Sequence, residues 1–170
     1  DAGGLSTSES FTIAVEDVNE APAEVTLEGS TVAENAAGAA IGTLSIVDPD
    51  AGDSHEITLS DDRFEVVGTE IHLKEGVSLN HEDAAEIDLE VTVTDAGGLS
   101  TSESFTIAVE DVNEAPAEVT LEGGTVAENA AGAAIGTLSI MDPDAGDSHE
   151  ITLSDDRFEV IGTEIHLKEG

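Results

Sequence analysis

Most of this chain is one sequence written twice. The stretch Asp1 to Gly76 returns as Asp95 to Gly170, a period of 94 residues, with changes only at Ser30/Gly124, Val47/Met141 and Val67/Ile161. A unit of that length is too long for a solenoid turn or a propeller blade and matches one small β domain, so the chain must fold as tandem modules. The register comes from Asp17-Val18-Asn19-Glu20-Ala21-Pro22, repeated at Asp111 to Pro116. There a polar, Pro-containing stretch follows an alternating strand, which marks a linker. Cutting at the linker leaves one complete module, 21–114, preceded by the end of an earlier module (1–20) and followed by the first part of a later one (115–170). Joined, the two partial pieces still lack a counterpart of Val77 to Thr94, so each is expected to expose half of a core.

Alternation with period two is plainest in Glu86 to Thr94, where Ile87, Leu89, Val91 and Val93 share one face and acids and threonines the other. The same pattern turns Phe105, Ile107 and Val109 inward within 102–111, Leu44 and Ile46 within 42–47, and Ile57 and Leu59 within 55–60. Shorter strands fit 24–27, 64–66 and 71–73. Seven strands separated by turns such as Asp50-Ala51-Gly52-Asp53 predict an all-β fold, a seven-stranded antiparallel Greek-key sandwich of the immunoglobulin kind, repeated end to end. The stretch 33–40 contains Gly38 and is too short for a stable helix, so it reads as a loop that begins with a glutamate.

With 39 Asp and Glu against 4 Lys and Arg, the net charge is −35. Phosphate binding needs clustered cations, so a nucleic-acid partner is excluded, as is a basic membrane-surface patch. Cysteine is absent, which removes disulfides, and no apolar run approaches the length of a membrane span. The N-terminal residues lack the charged and apolar regions of a signal peptide. Serines near His55 and His149 read as surface turns, so no nucleophile and base, and no enzyme, is expected.

Many acids sit at outward strand positions (Glu86, Asp88, Glu90, Glu103) and read as a solvated face. A second set falls at strand ends and in the linker: Glu34, Asp48, Asp50, Glu82, Asp95, Asp111, Asn113 and Glu114. In a sandwich these places gather at the poles. Two carboxylates about 5 Å apart repel by roughly 3 kcal/mol at an effective dielectric near 20, so an ordered cluster requires a cation. Arg63, Lys74, Arg157 and Lys168 lie on or beside strands and are too few. A donor set of oxygens alone favours Ca²⁺ over Mg²⁺ or a transition metal, and zinc is disfavoured without cysteine and without a histidine ligand spacing. The Asp48 to Leu59 stretch fails as an EF-hand loop because its twelfth position is Leu59 rather than a bidentate Glu.

Five motifs in order, Val32-Ala33-Glu34-Asn35, Asp48-Pro49-Asp50-Ala51-Gly52, Leu79-Asn80-His81-Glu82, Val91 to Gly98 and Asp111-Val112-Asn113-Glu114-Ala115-Pro116, resemble the cadherin repeat. The resemblance covers the complete module and, through the repeat, both partial ones. It looks closest to the tandem cadherin-like domains of large bacterial surface adhesins. It implies calcium at each junction between modules. At the junction after the complete module the implied ligands are Glu34, Glu82, Asp111, the Val112 carbonyl, Asn113, Glu114, Asp142 and Asp144. At the earlier junction they are Asp17, Asn19, Glu20, Asp48, Asp50 and Asp95. The chain departs from the usual pattern at Asn80-His81-Glu82, where Asp-Arg-Glu is common, at Glu114 in place of Asp, and at Ala115 in place of a second linker Asn. These changes remove a charge and an oxygen ligand, so the resemblance leaves the number of ions per junction open, between the family's habitual three and one or two.

The function so implied is a calcium-rigidified extender of an extracellular or cell-surface adhesin or fibre, secreted or surface-bound, whose partners are neighbouring copies of the same module. Two other readings stand beside it. A carbohydrate- or self-recognising module is weakened by the absence of Trp and Tyr, because the four Phe lie on inward registers. An acidic halophile spacer would use its charge for hydration and hold no specific ion.

Overall fold

A computed structural model describes residues 2–4 and 6–169, and among these every regular element is a β-strand. In chain order they are β1 (Glu24–Glu28), β2 (Thr31–Ala33), β3 (Ala40–Val47), β4 (Glu56–Leu59), β5 (Phe64–Val67), β6 (Glu70–Leu73), β7 (Glu86–Thr94), β8 (Ser100–Glu110), β9 (Glu118–Gly123), β10 (Ala134–Met141), β11 (Phe158–Ile161) and β12 (Glu164–Leu167). The contacts divide them into two compact units. One comprises Asp1–Ser30, Gly38–Val77 and Asp88–Ile107; the other comprises Thr31–Ala37, Ser78–Ile87 and Ala108–Gly170. Strands β7 and β8 run through both.

The first unit is built on the antiparallel sheet β1-β3-β6-β5 and on β4 and the longer parts of β7 and β8. Its alternating faces bury Val25, Ile41, Leu44, Phe64, Ile71, Leu73, Leu89, Val91, Val93 and Ile107. Each such side chain withdrawn from water contributes about 1.5–3 kcal/mol; Leu44, Leu89, Val91, Val93 and Ile107 are where period-two spacing put them, while Ile46, Ile57, Leu59 and Phe105, also expected inward, are only half-buried. Gly42 lies beside an irregularity in the β3–β6 register, where a Cβ would stand 2.4 Å from the Gly29 carbonyl oxygen. Any side chain there would push β1 off β3.

The second unit contains β2 and the end of β8, paired in parallel through Thr31↔Ala108, Val32↔Val109 and Ala33↔Glu110. This short strand lies in the segment read from sequence as leading into a loop. It adds an eighth strand to the seven expected, and a parallel pair to an otherwise antiparallel fold. The unit also holds the sheet β11-β12-β10-β9, which repeats β5-β6-β3-β1. Identical residues are packed differently in the two copies: Val25 is 5% exposed and its counterpart Val119 59%, while Val32 is 4% exposed and Val126 40%. Residues 124–127 and 150–153, whose counterparts include β2 and β4, form no strand. Val47/Met141 and Val67/Ile161, two of the three differing pairs, are exposed in both copies, so neither change disturbs a core.

The expectation for 1–20 needs correction at one point. Alternation placed Phe11 inward, yet residues 6–20 form no strand and Phe11, Ile13 and Val15 are 85%, 85% and 93% exposed. Alternation assigns a residue to a face, and a face is buried only when a second sheet packs on it.

Candidate metal centre

The second unit gathers carboxylates around Glu34. This residue ends the short β2 and is itself 2% exposed. Its Oε2 accepts the His81 N–H and its Oε1 the Val112 N–H, both at 2.9 Å, while its own N–H donates to the Glu110 carbonyl at 3.0 Å. Those two backbone donors hold its carboxyl below the usual range. Asn35, at φ 59, turns the chain sharply and donates from Nδ2 to Glu114 Oε1 at 2.7 Å. Asn tolerates that left-handed conformation better than most residues. The His81 ring donates from Nδ1 to the Val109 carbonyl at 2.7 Å, which ties the 79–82 loop to the end of β8.

From the other side, Asp142 and Asp144 form a tight turn in which the Asp144 N–H donates to Asp142 Oδ1 at 3.0 Å, and the Glu114 N–H donates to Asp144 Oδ2 at 2.6 Å. One carboxylate oxygen from each of Glu34, Glu82, Glu114 and Asp144 lies within 4.8 Å of the others. Two oxygens, Glu114 Oε2 and Asp144 Oδ1, are buried and accept no hydrogen bond. Buried carboxylate oxygens without donors are costly, and here they adjoin further negative charge. Glu82 registers the strain. Its own backbone N–H pulls its carboxyl down, but desolvation and the charges of Glu34, Glu114 and Asp111 outweigh that and raise it.

The structure thus brings together four of the eight residues implied for this junction. Asp111 acts on Glu82 and His81 through its charge and, with Asn113 and Asp144, lines an adjoining cavity. Asn113 turns its Nδ2 to the Glu114 carbonyl at 3.1 Å. Asp142 stands outside the quartet, because its Oδ2 is taken by His149 Nε2 at 2.6 Å, and that bond holds its carboxyl low. It forms a separate group with Asp147 and His149.

The earlier junction lies in the first unit and repeats the same turn. The Asp50 N–H donates to Asp48 Oδ1 at 2.8 Å, the Glu20 N–H to Asp50 Oδ2 at 2.7 Å, and His55 Nε2 to Asp48 Oδ2 at 2.7 Å. Asp17, Glu20 and Asp50 offer oxygens within 4.8 Å of one another. Desolvation and the charges of Asp50, Asp17 and Asp48 raise the Glu20 carboxyl. Asp95 is buried but well satisfied: desolvation is outweighed by donors from Leu99, Asn19, Gly98 and Gly97, which keep its carboxyl low. Asn19 Nδ2 reaches Asp95 Oδ2 at 2.8 Å, and the Thr101 hydroxyl donates to the Pro22 carbonyl, fastening the linker to the start of β8 and the turn before it. A Cβ on Gly97 would fall 2.3 Å from Asn19 Oδ1. Gly97→Ala is therefore expected to displace the Asn19 side chain from Asp95 and lower the melting temperature while leaving the β-sheet circular dichroism unchanged; melting equal to the parent's would show that the Asn19–Asp95 bond adds nothing to stability.

Sequence reasoning missed Asn35, His55 and His149. The motif containing Asn35 was visible, but its left-handed backbone and its bond to Glu114 are not encoded in spacing. The two histidines were read as surface turns, although each stands seven residues after the aspartate it orients.

These strands, their order and the acidic poles can be set beside known proteins. A human relative, protocadherin gamma-A5, is 30% identical over 175 residues, spanning 94% of this chain and 19% of the relative. Among solved structures, the extracellular cadherin domains 1–5 of protocadherin gamma B2 superpose with a TM-score of 0.65 at 19% identity, over 91% of this chain and 34% of that one. The EC1-4 structure of Drosophila N-cadherin gives 0.64 at 28% identity, over 85% and 41%. The fold is that of cadherin extracellular domains. No protein-family profile matches the chain. The chain spans about a fifth of the length of the human relative. These cadherin-like repeats thus share their architecture with the extracellular domains of cadherins and protocadherins. Protocadherin gamma-A5 is human and the N-cadherin is from Drosophila, so the likeness to bacterial arrays rests on the sequence motifs alone.

Proposed function

We propose that the chain is a calcium-stiffened extender, a string of cadherin-like modules that holds an adhesive element away from a cell surface or builds an extracellular fibre. The observation that carries this reading is the pair of buried, donorless oxygens, Glu114 Oε2 and Asp144 Oδ1, within the Glu34–Glu82–Glu114–Asp144 group. A hard divalent ion satisfies such oxygens and cancels their repulsion, and Ca²⁺ accepts six to eight oxygen ligands in flexible geometry. Glu34, Glu82, Glu114 and Asp144 would hold it, with Asp111, Asn113 and the Val112 carbonyl beside them. Asp17, Glu20 and Asp50 would hold the ion of the earlier junction, with Asp95, Asn19 and Asp48 around it. The module so defined is 21–114, with 1–20 and 115–170 belonging to its neighbours. Its setting is extracellular, where modules of this kind bind at roughly 10⁻⁴–10⁻³ M calcium.

Ion binding couples to ordering: a linker held by metal from both sides loses its freedom and becomes a joint. Excess chelator is therefore expected to increase the maximum dimension spread in small-angle scattering and to lower the melting temperature. Scattering and melting curves that do not change would exclude the extender. Calorimetric titration at high sodium separates specific binding from halophile hydration, since only a specific site gives a saturable calcium isotherm there.

The pH dependence has a definite sign. Glu82 is raised above its ordinary 4.5, so it takes up a proton sooner than a free glutamate, whereas Glu34 is lowered and stays ionised. Calcium must displace the Glu82 proton, so affinity falls as pH drops through that raised range. It is expected to be weaker in acidic buffer than at neutrality, with proton release on binding in the acidic buffer. Equal affinities would place Glu82 outside the metal shell.

A further inference from the structure

Some acids at the junctions have oxygens without donors, whereas Asp48 and Asp142 have a donor on each oxygen. Asp48 directly follows β3 and His55 directly precedes β4, so the pair closes the loop between two strands of different sheets. The Asp48 side chain is 6% exposed; its Oδ1 accepts the Asp50 N–H at 2.8 Å and its Oδ2 the His55 Nε2–H at 2.7 Å. In the later copy the Asp142 side chain is also 6% exposed, and it accepts the Asp144 N–H at 3.0 Å and the His149 Nε2–H at 2.6 Å. The arrangement belongs to the repeat, and His55 has it within the complete module.

A buried carboxylate oxygen needs a donor or a cation. Glu114 Oε2 and Asp144 Oδ1 have no donor, and a cation is what they call for. Asp142 precedes Asp144 by two residues yet stays out of the four-acid group, because a ring N–H already satisfies the oxygen it would bring. Such a bond to a carboxylate is charge-assisted and among the stronger hydrogen bonds, so an ion must displace a good partner to recruit the aspartate. Beside each turn lies a cavity lined by oxygen-bearing side chains: about 260 Å³ among Asp17, Asn19, Asp50 and Asp53, and about 380 Å³ among Asp111, Asn113, Asp144 and Asp147. The acid two positions after each histidine-held aspartate lines that cavity, so a freed carboxylate has oxygen neighbours with which to share an ion.

We propose that His55 and His149 limit the number of calcium ions a junction holds, each ring occupying the aspartate oxygen that a further ion would need. The histidine does for Asp48 or Asp142 with a hydrogen bond what a metal would do for Glu114 and Asp144. It is a positioning residue and not a ligand: it fixes the aspartate in the turn and away from the ion. A neutral ring suffices, because one N–H is all the bond requires. Removing the ring frees a single oxygen, while the bond from the Asp50 or Asp144 N–H still closes the turn. This inference rests on the calcium reading and deepens it.

The test is calorimetric titration with calcium, and thermal melting in excess chelator and in calcium, of the full chain carrying His149→Ala or His149→Gln, and of the same pair of changes at His55. In chelator His149→Ala is expected to melt below the parent, because a buried carboxylate oxygen loses its donor. Calcium then raises its melting temperature by more than it raises the parent's, and the titration shows a further ion bound. His149→Gln keeps an amide donor and is expected to match the parent in both measurements. An alanine variant with the parent's stoichiometry and the parent's calcium-induced rise would overturn the proposal. So would a loss of calcium affinity of about 10- to 100-fold, the effect of removing a residue that orients a ligand toward the metal. Asp147 lies close to Asp142 and His149, so zinc is titrated as well; a saturable zinc isotherm in the parent that the alanine variant lacks would make the ring a ligand and overturn the proposal too. No calcium isotherm in any of these proteins would overturn the calcium reading and this inference with it, whereas a parent that binds and variants that match it would overturn this inference alone.

Discussion

Alanine in place of Glu34 is expected to lower calcium affinity at the second junction by about 10- to 100-fold, the range typical when a ligand or the residue orienting it is removed from a metal site. On the proposed reading Glu34 has both tasks. Its carboxylate belongs to the four-acid group, and the same two oxygens receive the backbone N–H groups of His81 and Val112. Without it those two amides lose their acceptor, and the 79–82 loop and the linker lose their common anchor. The variant should also melt below the parent in excess chelator, which separates the anchoring task from metal binding. Glu34→Gln keeps an acceptor oxygen and should recover most of the chelator-state stability while still binding calcium poorly. Isothermal titration and thermal melts of the three proteins read both effects. Parent-like affinity in Glu34→Ala would remove Glu34 from the site.

The largest loss of stability is expected at the centre of β7. Leu89 is fully buried, and Leu89→Ala deletes its side chain from a close-packed sandwich, costing about 2–5 kcal/mol from the lost transfer energy and the cavity left behind. The urea midpoint of the main transition should fall with its slope unchanged. Leu121→Ala provides the internal contrast. That leucine sits on a strand with an uncovered face, so its truncation should shift the midpoint by well under half as much. Equal effects at the two positions would contradict the burial of Leu89 and the exposure of Leu121.

Most strands of the complete module were legible because period two is a local property, plainest in the nine residues of β7, whereas the three-residue β2 was not. The acidic turn at Asp48-Pro49-Asp50 was legible for a similar reason, since a side-chain acceptor two residues before its donor closes a turn wherever it occurs. What the sequence withheld is non-local. Phe11 and Phe105 sit in identical eleven-residue strings, and only the presence of an opposing sheet makes one half-buried and leaves the other in water. The parallel pairing of Thr31–Ala33 with β8 depends on a partner more than seventy residues away. Within the candidate site the acids were visible by type and by motif order. The division of labour among them was not. Asp142 and Asp48 are each held by a histidine, Asp95 by Asn19 and the 97–99 backbone, and only Glu34, Glu82, Glu114 and Asp144 converge at the second junction. Those assignments follow from loop paths that residue spacing does not determine.

The central claim, that divalent metal holds the oxygens at the joint, is tested most directly by the anomalous difference density of crystals grown with calcium. The account predicts a peak among Glu34, Glu82, Glu114 and Asp144 with oxygen distances of about 2.3–2.6 Å. A site that shows no anomalous signal in calcium-replete crystals, with these carboxylates turned apart and hydrated, would contradict it.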